Sequence, residues 1–303
     1  ITITGAAYTK NTTDTLTVDA SNVAADTTNQ IAVTIDVSAE LTNDYVIKGS
    51  AGTGDTLALG TAKTYAGDMA ISGVETITHT AGTVTAATLN GLTATLTGNA
   101  TTDNFIVQGA DAVNDVIDVS GITHNGAAAV DFAINGGTGD DTITGSASHD
   151  AIDADAGADT VYISDGTDTI LLGGTTDADS VYHTNVEDNA ATSTVTEFIT
   201  TQDTLYLSAA DLNTVVGSAA FSAGDSVTID ELDTTGAADT ATGTAFQFIY
   251  DEATGMLSID VDGDTGIDGA NAFTGDTDDI DLITISNDGT YTGDIVAADI
   301  TII

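Results

Sequence analysis

Four aspartates, Asp141, Asp150, Asp159 and Asp168, recur every nine residues, and each is followed two places later by an aliphatic residue: Ile143, Ile152, Val161 and Ile170. Carboxylates spaced this regularly among glycines suit one chemistry above others, the binding of hard cations. Ca²⁺ takes six to eight oxygens at about 2.3–2.6 Å, and glycine-rich loops supply main-chain carbonyls beside the carboxylates. The first nine-residue unit, Gly136 to Thr144, places Gly136, Gly137 and Gly139 ahead of Asp141. Such a unit should give a half-turn, whose φ > 0 positions suit glycine, and then a short strand with its aliphatic residue pointing inward. Two units close one coil, so residues eighteen apart stack and like carboxylates approach one another. At ~4 Å two such charges repel by roughly 4 kcal/mol at an effective dielectric of 20, a cost that a bound divalent cation removes.

The candidate ligands are therefore Gly137, Gly139 and Asp141 in the first unit, Asp150 in the second, Gly157 and Asp159 in the third, and Gly166 and Asp168 in the fourth. The second unit has Ser148 where a glycine belongs, which makes the Asp150 loop the weakest. After Ile170 the register slips: Gly173-Gly174-Thr175-Thr176-Asp177 keeps an acid at Asp177, but the aliphatic partner arrives only at Val181. The regular roll is expected to end there. Two further loops carry acids at ion-binding spacing. Ala51-Gly52-Thr53-Gly54-Asp55-Thr56-Leu57 is a shortened version of the same unit and offers Asp55. Asp260, Asp262, Asp264 and Asp268 stand at relative positions 1, 3, 5 and 9 of a second loop, as acids that converge on one cation do, although Gly263 falls at position 4 and Asn271 at position 12.

The nonapeptide Gly136–Thr144 fits G-G-x-G-x-D-x-U-x at every specified position, and in this the chain resembles the RTX (repeats-in-toxin) calcium-binding proteins. That resemblance implies folding on several extracellular Ca²⁺ ions and export by type I secretion. Within the group the likeness is greatest to bacterial surface-layer proteins. Ser72-Gly73-Val74-Glu75-Thr76-Ile77 and the stretch from Val113 to Gly121 are similar to the Thr- and Asp-rich body of those lattice proteins. Phe246 to Asp251 and Met256 to Gly263, joined by a turn through Gly255, resemble the cap that precedes a type I secretion signal. The ending Asp299-Ile300-Thr301-Ile302-Ile303, an acid followed by apolar residues, fits such a signal.

The elements that position these loops are strands. Ile31, Val33, Ile35 and Val37 alternate with small or polar residues, as do Leu92, Ala94 and Leu96, then Leu257, Ile259 and Val261. Thr is abundant and β-branched, which favours strands over helices. One short helix is expected after Ser208, whose hydroxyl can cap Ala209 to Leu212. The reading is an all-β protein in three parts: a Thr/Asp-rich β-solenoid over 1–125, a parallel β-roll over 126–182, and a C-terminal β cap with a secretion signal over 183–303.

Composition points the same way. Among 303 residues there are 3 Lys+Arg against 47 Asp+Glu, a formal net charge of −44. Only six of the acids are Glu, so 41 are Asp, the residue suited to turns and ion loops rather than to helices. The bases are Lys10, Lys48 and Lys63, so carboxylates beyond residue 63 have no basic residue within their own stretch of chain. Nucleic-acid binding through a basic footprint is excluded. No run of eighteen apolar residues exists, and hence no membrane span of helical type. His79, His124, His149 and His183 form no H-E-x-x-H, no G-x-S-x-G elbow or Walker loop occurs, and no catalytic role is expected. His149 and His183 are read as exposed loop residues. The N-terminus, Ile1-Thr2-Ile3-Thr4, lacks an initiator Met and reads as a fragment or a processed form.

The expected function is that of a secreted, calcium-dependent structural protein at the cell surface. It would form a homo-oligomeric two-dimensional lattice and be anchored to cell-surface polysaccharide through a region ahead of Ile1. The alternatives are an RTX adhesin or toxin fragment, or the calcium-binding export module of a secreted protease or lipase.

Overall fold

The computed structural model describes residues 2–5, 16–19, 32–37, 45–49, 55–58, 63–65, 69–78, 82–85, 93–97, 105–110, 112–124, 132–174, 176–184, 192–217, 220–227, 229–232, 247–251, 254–260, 280–286 and 295–303. The described residues are all-β apart from one short α-helix and a 3-10 turn, and the chain divides into two compact units, Ile1–Asp153 and Ala154–Ile303. That division falls inside the nonapeptide array, a different partition from the three segments read from composition.

In the first unit every recorded strand pairing is parallel. Thr2–Gly5, Ala32–Val37, Thr56–Ala58, Thr76–Thr78, Ala94–Thr97 and Ile122–His124 stand side by side in chain order in one sheet. Lys63–Tyr65, Gly82–Thr85, Phe105–Gln108, Phe132–Asn135 and Asp150–Asp153 do the same in a second. Strands that neighbour in space but are separated by a fixed length of chain define a solenoid, in which each coil adds one short strand to each sheet. The eighteen-residue coil expected of two nonapeptides is seen where Phe132 pairs Asp150 and Asn135 pairs Asp153. Earlier coils are longer, with Phe105 opposite Phe132 and Val116 opposite Thr142. Alternation does the packing: Phe105 and Val107 point in and Ile106 and Gln108 out, and Phe105 meets Phe132 edge-to-face at 6.2 Å inside the coil.

Coil corners are tight. Gly109 donates its N–H to the Asn135 carbonyl, and a Cβ built on it would lie 1.8 Å from the Gly136 carbonyl oxygen. The obstacle is main chain and cannot rotate away. Gly109→Ala is therefore expected to destabilise by about 3 kcal/mol, at the upper end of overpacking costs. Gly217 is the control: its φ is +66° but nothing lies within 4 Å of an added Cβ, so alanine there should cost only about 1 kcal/mol of backbone strain. Thermal melts of the two variants that coincide would show that corner approach does not constrain the fold.

The second unit is also built on parallel strands, with an antiparallel pair added. Thr160–Ile163, Ser180–His183, Thr204–Leu207 and Ile300–Ile302 form one parallel stack. Thr169–Leu171, Thr194–Thr196 and Ile280–Ser286 form another, to which Met256–Asp260 and Gln247–Asp251 add as an antiparallel pair. The hairpin turn expected there is present, with Gly255 at φ +75° and its N–H bonded to the Asp251 carbonyl at 2.7 Å. The expected helix spans Ala209–Val215, and the Ser208 hydroxyl accepts from the Asp211 N–H at 3.3 Å. Thr194–Thr196 and Thr204–Leu207 lie in different sheets. Outward-facing Tyr162, Tyr182 and Tyr206 stack with centroids 4.7 and 4.3 Å apart.

The candidate calcium-binding loops

One local rule builds the corners in both units. An acid or hydroxyl two residues ahead of an inward aliphatic accepts the N–H of the matching residue one coil earlier. Asp115 N–H donates to Asp141 Oδ1 at 2.8 Å, and Asp55 N–H to Glu75 Oε2 at 2.9 Å. In the second unit Asp159 N–H donates to Asp179 Oδ1 and Asp179 N–H to Asp203 Oδ1, both at 2.8 Å, while Asp168 N–H donates to Ser193 Oγ at 2.9 Å. The carbonyl of each donating residue is bonded by the residue that follows the acceptor: Thr142 N–H reaches the Asp115 oxygen, and Thr204 N–H the Asp179 oxygen. Each corner is thus clamped by the next coil through one side chain and one main-chain bond. Buried main-chain groups must be satisfied somewhere, and this clamp is where those of the corners go.

The positions read from the sequence fall into this frame unevenly. Asp141, Asp150, Asp159 and Asp168 are all buried at their corners, at 1% exposure or less, as is Asp55 at 2%. Gly137, Gly139, Gly157 and Gly166 take φ of +94°, +146°, +151° and +107°, the conformations for which glycine was expected. Asp155 takes the second-glycine position of the third unit at φ +68°. Asp150 differs from the others: the Ser146 N–H and hydroxyl bond its two oxygens from within its own loop, at 2.6 and 3.1 Å. A hydroxyl-bearing loop without the third glycine thus closes on its own acid. Asp260 is the last residue of its strand, and Asp262, Asp264 and Asp268 lie outside the described residues.

One reading is refined and one corrected. The nine-residue register slips after Ile170, as read, but Asp177 does not hold the next corner. Asp179, two residues before Val181, holds the corner, as Asp159 does two before Val161, and the coil between them is twenty residues long. Asp177 stands half-buried beside it and accepts from the Thr176 hydroxyl at 3.3 Å. His183, read as exposed, is buried at 5% exposure, because the strand Ser180–His183 alternates and places Val181 and His183 inward. Its Nε2 lies 3.0 Å from the Leu282 carbonyl, and burial lowers the pKa of the ring. His149 is exposed, as read. Sequence reasoning also missed Asp115, Asp179, Ser193 and Asp203, although each carries the same signal, an oxygen-bearing side chain two before an aliphatic.

The chemistry of these corners is that of trapped negative charge. Burial, more than the neighbouring Asp203, Asp159 and Asp177 charges, pushes Asp179 up to about 7, against the lowering effect of the Asp159 N–H; burial likewise raises Asp203. Asp141, Asp159 and Asp168 each keep one buried oxygen, Oδ2, that accepts no hydrogen bond from the described residues. Among the described residues no three His, Cys, Asp or Glu side chains converge on one point. A cation at such a corner must therefore draw most of its oxygens from main-chain carbonyls and water, with carboxylates as the charged minority. That donor set suits Ca²⁺, which accepts a large, irregular shell, better than Mg²⁺.

Without metal, a proton can do part of the same work at Asp179. A folded pKa near 7 above an unfolded value near 3.8 contributes stability that is complete below ~3.8 and lost as pH rises through ~7. In chelator, the stability of the native chain relative to Asp179→Asn should therefore fall between pH 4 and 7. Melting curves showing a constant or rising difference would contradict this assignment.

Glycine-rich corners at positive φ, buried carboxylates and short parallel strands define a calcium-binding parallel β-roll. Residues 135–170 match the RTX calcium-binding nonapeptide repeat, in four copies, and such repeats bind several Ca²⁺ ions. RTX repeats are typical of secreted, extracellular proteins. No curated protein matches the chain. No helix among the described residues is long and apolar enough to cross a membrane.

Proposed function

We propose that the protein is a structural subunit of a bacterial surface layer, held folded and assembled by calcium, without a catalytic role of its own. The observation that carries this reading is the continuity of the corner rule. Asp55–Glu75 and Asp115–Asp141 use the same clamp as Asp159–Asp179 and Asp179–Asp203, so the Thr/Asp-rich body and the nonapeptide array are built alike. A calcium tail appended to an enzyme gives no reason for such a body. The loops of the array and of Asp55, Asp177, Asp260, Asp262, Asp264 and Asp268 are the proposed ion sites. The polysaccharide anchor and the type I export signal belong to the same reading.

Copies carrying a net charge of −44 repel, so their contacts need divalent ions, and monovalent screening should replace these poorly. Raising calcium should convert monomers into ordered two-dimensional arrays, with Mg²⁺ less effective. Light scattering and electron microscopy test this. A monomer at every calcium concentration, with saturable binding to cells or glycans, would establish the adhesin alternative instead.

A further inference from the structure

Asn135-Gly136 leads directly into the first nonapeptide, and the fold holds this pair away from a reaction to which its chemistry inclines it. Asn is a thermolabile residue, and a following glycine leaves the main-chain nitrogen without a flanking side chain. For the Gly136 nitrogen to attack Asn135 Cγ, the two must meet in a near-attack geometry of roughly 3–3.5 Å with orbitals aligned. Here Gly136 N–H is bonded to the Asp153 carbonyl at 2.8 Å, the Asn135 carbonyl accepts from Gly109 N–H at 2.8 Å, and Asn135 Oδ1 accepts from Gln108 Nε2 at 2.7 Å. Asn135 is fixed in an extended strand, paired with Gln108 on one side and Asp153 on the other. Nucleophile, electrophile and the bond between them are all held in place.

We infer that Asn135-Gly136 is a fold-gated self-modification site: intact while the coils on either side are paired, and converted to aspartate and isoaspartate once they open. The Gly136 nitrogen loses its proton and bonds to Asn135 Cγ, the Cγ–Nδ2 bond breaks, and ammonia leaves. Water then opens the cyclic imide at either carbonyl; nothing is oxidised or reduced. The isoaspartyl product carries one more main-chain atom immediately ahead of Gly136. Because Asn135 ends a strand paired on both sides, that disturbs the spacing of its main-chain groups against Gln108 and Asp153. The aspartyl product places a new carboxylate opposite Asp153. Either product should hinder the chain from closing its first nonapeptide again, and this sets a lifetime for the calcium-free state.

The gate rests only on the folded pairing, whereas its link to calcium rests on the calcium-dependent folding proposed above, and three incubations of the full chain separate the two. The peptide carrying Asn135 is followed by mass spectrometry, with aspartyl and isoaspartyl forms resolved, in calcium, in EGTA, and in concentrated urea. Conversion should be at least about tenfold faster in urea than in calcium, because reaction proceeds through the open state alone. Equal rates in urea and in calcium overturn the gate. With the gate intact, conversion in EGTA as slow as in calcium overturns the calcium link, while a rate near that in urea supports both. After prolonged EGTA treatment, Asn135→Gln, whose longer side chain closes such a ring poorly, should recover more native β signal on adding calcium than the unsubstituted chain. Equal recovery would overturn the predicted block to refolding.

Discussion

Chelating calcium from the folded protein should abolish most of its β circular-dichroism signal over the array and lower its melting temperature. If each site has the affinity of extracellular modules, with dissociation constants of about 10⁻⁴ to 10⁻³ M, ~1 mM calcium contributes roughly 0.4–1.4 kcal/mol per site. One site is marginal, but several acting in stacked coils sum to much of the 5–15 kcal/mol that typically separates folded from unfolded chains. The opposing force is carboxylates such as Asp141, Asp159 and Asp168, each buried at 1% exposure or less. A spectrum and melting temperature unchanged in EGTA would end the claim.

The second large effect belongs to Asp203. Its Oδ1 accepts from Asp179 N–H at 2.8 Å and its Oδ2 from Ile199 N–H at 2.6 Å. Asp203→Ala leaves two buried donors unsatisfied, at about 1–3 kcal/mol each, for a loss of roughly 2–6 kcal/mol. At about 2–4 °C per kcal/mol for a unit of this size, the melting temperature should fall by ~4–24 °C. Asp203→Asn keeps one accepting oxygen and removes a charge from the neighbourhood of Asp179, so it should lose less, and least of all in chelator. A melting temperature for Asp203→Ala within about 1 °C of the parent would show that this clamp does not hold the coil.

What could be read from the chain was whatever repeats at fixed spacing. The four corners Asp141 to Asp168 stood out because equal coil lengths make equal intervals in sequence. Asp179 and Asp203 do the same physical work, but their coils are longer, so a search for a nine-residue beat passes over them and settles on Asp177. Ser193 was hidden further, since a hydroxyl replaces the acid. His183 could have been placed by the alternation of Ser180-Val181-Tyr182-His183. The pairing of Thr194–Thr196 with Ile280–Ser286 could not be foreseen, because nothing local marks which of several Thr- and Ile-rich strands will meet across some ninety residues. The helix cap at Ser208 and the turn at Gly255 were legible because both depend on contacts within a few residues.

The stacked tyrosines have a practical corollary. The chain contains no Trp, and Tyr162, Tyr182 and Tyr206 come from three successive coils, paired residue for residue. Rings 4.3–4.7 Å apart couple their electronic transitions, and they reach that separation only while three coils keep a common register. A slip of one residue would turn one ring to the opposite face and break the series. The near-ultraviolet spectrum is thereby an inbuilt gauge of alignment between coils, distinct from far-ultraviolet signals that report strand content alone.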